Sequence, residues 1–140
     1  MFEPIIYAAR VDQAAPDDFV ITFPDIPEAI TGAATREAAM AGAPDALAAA
    51  LEGYLKEGRP LPARRAPTAR EDAVPVAPAL AARLLLAEQM ATDHLSKSAL
   101  AQRIGRDEKV VRRILSGSNV SLDLVLEILG ELGVRPTLAI

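Results

Sequence analysis

LSKSALAQRIGRDEKVVRRILSG, residues 95–117, is the stretch on which the fold of this chain turns. Six of its positions are Lys or Arg and two are acidic, a local balance of +4 in a chain whose formal total is −4. Two short helical patterns meet at Ile104, Gly105 and Arg106. SKSALAQRI predicts a helix capped by Ser96 and ended at Gly105, and DEKVVRRIL predicts a second capped by Asp107. A tightly turned helix pair needs a small apolar residue in its first helix and a turn residue that tolerates positive φ. Ala101 and Gly105 meet these demands. Leu100, Ile104, Val111 and Ile114 supply an apolar lock between the two helices and against their neighbours.

With those residues turned inward, Glu108, Lys109, Arg112 and Arg113 remain outward on the second helix, following Asp107. This is the pattern of a helix-turn-helix, whose second helix offers N-terminal side chains to base edges while the first crosses the backbone. Lys109 and Arg113, four residues apart on one face, suit guanine acceptors or phosphates, and Glu108 suits a cytosine amino group. Lys97, opening the first helix, and Arg106, in the turn, are placed for phosphates. The candidate DNA-contacting residues are therefore Lys97, Arg106, Asp107, Glu108, Lys109, Arg112 and Arg113. A bundle with a solvated basic face is the plainer alternative, but it does not require the small residue, the turn glycine and the apolar lock together.

Toward the C-terminus, SLDLVLEILGELG (121–133) predicts a helix capped by Ser121 and closed near Gly133, and RPTLAI (135–140) a short β tail. The tail offers an unpaired strand to a two-fold partner, or folds back as a local cover. A single small DNA-reading domain seldom binds tightly, so a homodimer, or a higher even-numbered oligomer, is expected. Toward the N-terminus, PALAARLLLAEQMATDH (78–94) predicts a helix with Pro78 in its first turn and Leu80, Leu84, Leu85 and Met90 on or near one face. His94 follows it, where a cation is favourable.

Residues 59–78, RPLPARRAPTAREDAVPVAP, contain five of the eleven prolines together with Arg64, Arg65 and Arg70. They predict an extended linker with solvated charge, in which residues 73–76 (AVPV) are able to add an edge strand to a sheet. Before it, IIYAARV (5–11) and FVITF (19–23) predict two strands joined by DQAAPDD, a hairpin with more than the tightest loop. FPDIPEAITGA (23–33) predicts a bend at Pro24–Glu28 and a short third strand. TREAAMAGAPDALAAALEGYLKEG (35–58) predicts a helix capped by Thr35, with Leu47, Leu51, Tyr54 and Leu55 over the sheet and a stop at Gly58. Pro44 either kinks that helix or divides it. The resulting class is α+β, with an N-terminal module over 1–62, a linker over 63–77 and an all-α module over 78–140.

Composition narrows the chemistry. The chain has 140 residues and no cysteine, which removes disulfides and thiolate metal sites, and a single histidine cannot form a cluster. No metal, cofactor or catalytic residue is expected. Asp12, Asp17, Asp18 and Asp25 lie in turn segments, where the rigid convergence needed for two-metal hydrolysis is hard to arrange. MFEPIIYAARVDQ lacks the pattern of a signal peptide, and no apolar run is long enough for a membrane span. A cytoplasmic protein is expected. Residues 1–62 hold 4 basic and 10 acidic side chains, a net of −6, whereas residues 63–140 hold 11 and 9, a net of +2. Such asymmetry suggests two surfaces with different partners.

The ordered set of features resembles the HicB antitoxins of bacterial toxin–antitoxin modules. It comprises a strand, an acidic turn, a strand ending in FPDIP, the TGA segment, the TREAA helix start, YLKEGRPLP, VPVAPALAARLLLAEQM, and the C-terminal helical stretches quoted above. The resemblance implies a β-β-β-α-β domain related to a degraded RNase H fold, tethered to an Xre/Cro-like helix-turn-helix domain. It further implies that the N-terminal domain binds and blocks a small basic HicA toxin, an mRNA-cleaving ribonuclease, and that the C-terminal domain represses the operon. Asp17, Asp18, Asp25 and Glu28 are the toxin-facing candidates. The competing reading is a stand-alone transcription regulator with a ligand-sensing N-terminal domain.

Overall fold

A computed structural model describes residues 5–117 and 120–135. The opening hairpin is longer and tighter than the sequence predicts. Strand β1 (Ile6–Ala15) and strand β2 (Asp18–Thr22) are joined by Pro16 and Asp17 alone. The ladder runs on through Asp12↔Val20, Gln13↔Phe19 and Ala15↔Asp18 although these positions bury little. Pro16 presets φ at about −65° for the first central turn position. Neither turn residue has positive φ, so this is not one of the primed turns that match the twist of paired strands. The register shifts between Gln13 and Ala15, and the extra residue there supplies the additional twist, as a β-bulge does.

After β2 the chain makes two consecutive turns, each with proline at its first central position. Ile26 N–H donates to Phe23 C=O at 2.9 Å across Pro24, and Ala29 N–H donates to Ile26 C=O at 3.0 Å across Pro27. Asp25 and Glu28 take the second central positions without positive φ, the geometry of type I turns, which accept non-glycine residues there. Phe23, Ile26 and Ala29 are buried at the pivots. The turns deliver strand β3 (Ile30–Ala33) antiparallel to β2. Strand β4 (Asp72–Pro75) pairs antiparallel with the first half of β1, giving the sheet order β3-β2-β1-β4. The edge strand suggested by AVPV is therefore present.

Helix α1 (Arg36–Glu57) runs through Pro44 without dividing. Thr35 Oγ1 accepts from Ala38 N–H at 3.1 Å at its start. Its buried positions Ala39, Ala43, Leu47 and Leu51 recur every four residues, a narrow stripe along one face. Only part of this stripe is visible as leucine. A Cβ on Gly42 would stand 3.5 Å from Thr31 Oγ1, so the helix comes close to β3. Tyr7, Ala9, Ile21 and Val74 share one face of the sheet by their pairing and are buried with the helix stripe.

The chain divides into two compact units, one of Pro4–Gly53 with Pro62–Ala77 and the other of Tyr54–Leu61 with residues from Pro78 onward. Tyr54 and Leu55, expected over the sheet, are buried but fall in the second unit. In that unit α2 (Pro78–Thr92), α3 (Lys97–Ile104), α4 (Glu108–Ser116) and α5 (Leu122–Glu131) follow one another. Ala82, Leu86, Met90, Leu100, Ala101, Val111, Ile114, Val125, Ile128 and Leu129 form their core. Helix α2 buries Leu80 and Leu84 as well, and Arg83 with them, where the sequence predicts one apolar face. Gly133, at φ 84, closes the turn after α5, and the predicted β tail beyond Arg135 lies outside the described residues. Among the described residues no helix is long and apolar enough to cross a membrane.

Candidate functional site

The α3–α4 pair is built from its caps. Ser96 Oγ accepts from Ala99 N–H at 3.0 Å, and Asp107 Oδ1 accepts from Lys109 N–H at 2.9 Å. Between the helices Gly105 adopts φ 66, ψ 34, the left-handed region that glycine enters at little cost. Arg106 N–H then donates to Ala101 C=O at 3.0 Å, closing α3. Gly117, at φ 80, ends α4 in the same way, its N–H donating to Arg113 and Ile114 C=O.

Helix α4 has two faces. Val111, Ile114 and Leu115 are buried, while Lys109, Arg112 and Arg113 are exposed within an arc of about 100° at the helical repeat. The outward cations are not equivalent. Arg112 pairs with Glu108 at 3.0 Å one turn away, and Arg106 reaches Glu127 on α5 at 3.2 Å. Lys97, Lys109 and Arg113 have no ion-pair partner among the described residues. Asp107 is engaged in capping, and Glu108 in holding Arg112. A helix carrying two available cations and one tethered one, held on a buried core, is able to bind phosphate and present hydrogen-bond donors. Arg103 on α3 is a further exposed cation that the sequence pattern left aside, because attention falls on the second helix of the pair.

The four acidic candidates of the sheet unit do not form one cluster. Asp17 and Asp18 stand at the β1–β2 turn, whereas Asp25 and Glu28 occupy the turns that follow β2, at the other end of a strand roughly 15 Å long. Asp17, Asp18 and Glu28 are exposed. Asp25 is held by Arg65 at 3.0 Å.

Arg65 is the centre of a second arrangement. Its guanidinium donates to both oxygens of Glu71, at 2.7 and 3.0 Å, and Glu71 also accepts from Thr68 N–H at 2.9 Å. The Glu71 side chain is 2% exposed. These bonds, Arg65 foremost, hold its carboxyl down at about 2. Tyr7 Oη donates to Pro62 C=O at 3.0 Å. The Pro/Arg-rich stretch thus carries bonds to the sheet unit, and the charge of Arg65 is paired where solvation is expected. Among the described residues no three of His, Cys, Asp and Glu are grouped so as to hold a metal ion.

Comparison with known proteins places this architecture. Residues 6–84, from β1 into α2, match the model of the HicB-like antitoxins of bacterial toxin–antitoxin systems. The chain belongs to the HicB-like antitoxin family. It is 37% identical over 117 residues to Antitoxin HicB 2 of Photorhabdus laumondii, covering 82% of each chain. It is 30% identical to Antitoxin HicB 1 of the same organism over 135 residues, 96% of this chain and 86% of the relative. Antitoxin HicB of Escherichia coli K12 is 26% identical over 110 residues, 79% and 80% of the two chains. The family match thus takes in the whole sheet unit, with the Arg65 arrangement and the acidic candidates. The α3–α4 cations of this HicB-like antitoxin lie beyond it.

Proposed function

We propose that this HicB-like antitoxin binds and inhibits a cognate HicA-like, mRNA-cleaving toxin through its sheet unit and represses its own operon through α3–α4. The observation that carries this reading is that the two candidate surfaces belong to different compact units. The family match covers the sheet unit, and the exposed cations of α4 lie outside it, on a separate helical unit. A net of −6 over residues 1–62 favours rapid encounter with a small basic nuclease. The cations of α4 favour phosphate. The sheet unit is a degraded RNase H fold in this reading, α3–α4 an Xre/Cro-like helix-turn-helix, and the working form a cytoplasmic homodimer or higher even-numbered oligomer that matches a two-fold operator. Asp17, Asp18, Asp25 and Glu28 are the toxin-facing residues in this reading, Asp25 being held in place by Arg65.

Co-expression with the adjacent small gene tests both halves. The expected result is co-purification of the two products, relief of the growth arrest caused by the small protein alone, and retention of DNA from upstream of the pair. Absence of a co-purifying partner, together with DNA binding that responds to a small ligand, would favour a stand-alone regulator.

A further inference from the structure

We infer that Arg83, on α2, is the residue that positions helix α4 for DNA, an inference that rests on the DNA-binding reading above. Arg83 sits in the run LAARLLLAEQM, between Ala82 and Leu84, and is only 9% exposed. Its Nε donates to Ile114 C=O at 2.7 Å, and its Nη2 donates to Leu115 C=O at 3.2 Å. Both acceptors lie in the last turn of α4, where carbonyls lack an i+4 donor within the helix; Ile114 C=O also accepts from the capping Gly117 N–H at 3.3 Å. The cation also stands at the negative end of the α4 dipole.

Burying a guanidinium among aliphatic side chains is costly. An apolar residue at 83 would fill the same space without that cost. The bonds to α4 supply what an apolar residue does not, which is direction. Val111, Ile114 and Leu115 fix how deep α4 sits, but apolar contacts are non-directional and leave rotation about the helix axis and small tilts weakly opposed. A planar fork bonded to two successive carbonyls opposes both. Leverage makes the anchor matter at a distance. Helix α4 has nine residues and is about 13 Å long, so a tilt of about 10° at the Arg83 end moves the Lys109 end by about 2 Å. That exceeds the tolerance of a hydrogen bond to a base edge. Phosphate contacts, made by long flexible cations, survive such a shift far better.

The test follows from that difference. Arg83→Lys retains a charge but not the fork, and Arg83→Met retains length but neither. Each full-length variant is compared with the unaltered protein by fluorescence anisotropy. The probes are a duplex from upstream of its own gene and a scrambled duplex of equal length, at a temperature where circular dichroism shows equal helicity. The expected result is a fall of about tenfold in the ratio of specific to non-specific affinity for both variants, the size of one lost base contact. Non-specific affinity and its salt dependence should stay within about twofold, because they report phosphate contacts. An unchanged ratio in a folded Arg83→Lys protein would overturn the inference. So would failure of both variants to fold, which would make Arg83 a requirement of the fold and not of helix placement. If the unaltered protein does not prefer its own upstream duplex, the DNA-binding reading itself fails, an outcome distinct from an unchanged ratio.

Discussion

The ion pairs on and around α4 rank its cations, and salt dependence reads that ranking. Arg112 is tied to Glu108 and Arg106 to Glu127, whereas Lys109 and Arg113 have no ion partner among the described residues. A cation that neutralises a phosphate contributes about 0.9 to the slope of log affinity against log salt. Lys109→Ala and Arg113→Ala should each lower the slope by about that amount per protomer bound. Between 50 and 200 mM salt this corresponds to a factor of about 3.5 per contact and about 12 for the pair. Arg112→Ala should do less, since part of its charge is already compensated. Glu108→Ala should tighten binding, because it removes a negative charge and releases Arg112. Anisotropy titrations of an upstream duplex at four or five salt concentrations measure all of these slopes. Equal losses for Arg112→Ala and Arg113→Ala, or weaker binding by Glu108→Ala, would refute the ranking. A slope unaffected by the Lys109→Ala, Arg113→Ala double variant would remove α4 from the DNA interface.

Further outcomes concern stability. The Glu71 carboxyl, held down at about 2 from an ordinary 4.5, contributes stability above pH 4.5 that is lost as the pH falls toward 2. Urea unfolding at pH 7 and pH 3 should show a smaller acid loss for Glu71→Gln than for the unaltered protein, and equal losses would contradict the Arg65–Glu71 account. Leu47→Ala, at a position with no exposure, should cost about 2–5 kcal/mol, seen as lost protection of the sheet amides in hydrogen exchange. Pro44→Ala restores a donor for the Met40 carbonyl and should stabilise α1 by about 2 kcal/mol after the entropy it returns to the unfolded chain; a lower unfolding midpoint would show that the proline fits without strain.

The helical half was legible because its punctuation is local. Ser96, Asp107 and Ser121 each cap the helix they announce, and Gly105 takes the left-handed conformation that ends its helix. The hairpin tip was misread because Asp12, Gln13 and Asp18 have the composition of a loop, while a ladder with β2 holds them extended. Backbone pairing leaves no mark on hydropathy. The α1 stripe was half seen, since Ala39 and Ala43 do not stand out in an alanine-rich helix. Among the site candidates, sequence gave the cations of α4 but not their availability, because Arg106 finds its partner 21 residues away on α5. Arg83 was invisible as a functional residue: spacing alone cannot tell a solvated arginine from one turned into the core.

The bulge and turn at the β1–β2 tip carry a consequence for how the chain can vary. Residues 12–18 are all exposed, so no core residue depends on their identity, and register there is held by the bulge and Pro16 and not by a buried pattern. Substitutions at these positions meet almost no packing constraint. Adding or removing residues two at a time on each strand would preserve the alternation of faces. Packing therefore sets no limit on charge and reach at this tip, and only what the tip binds constrains how they change between descendants of the same fold.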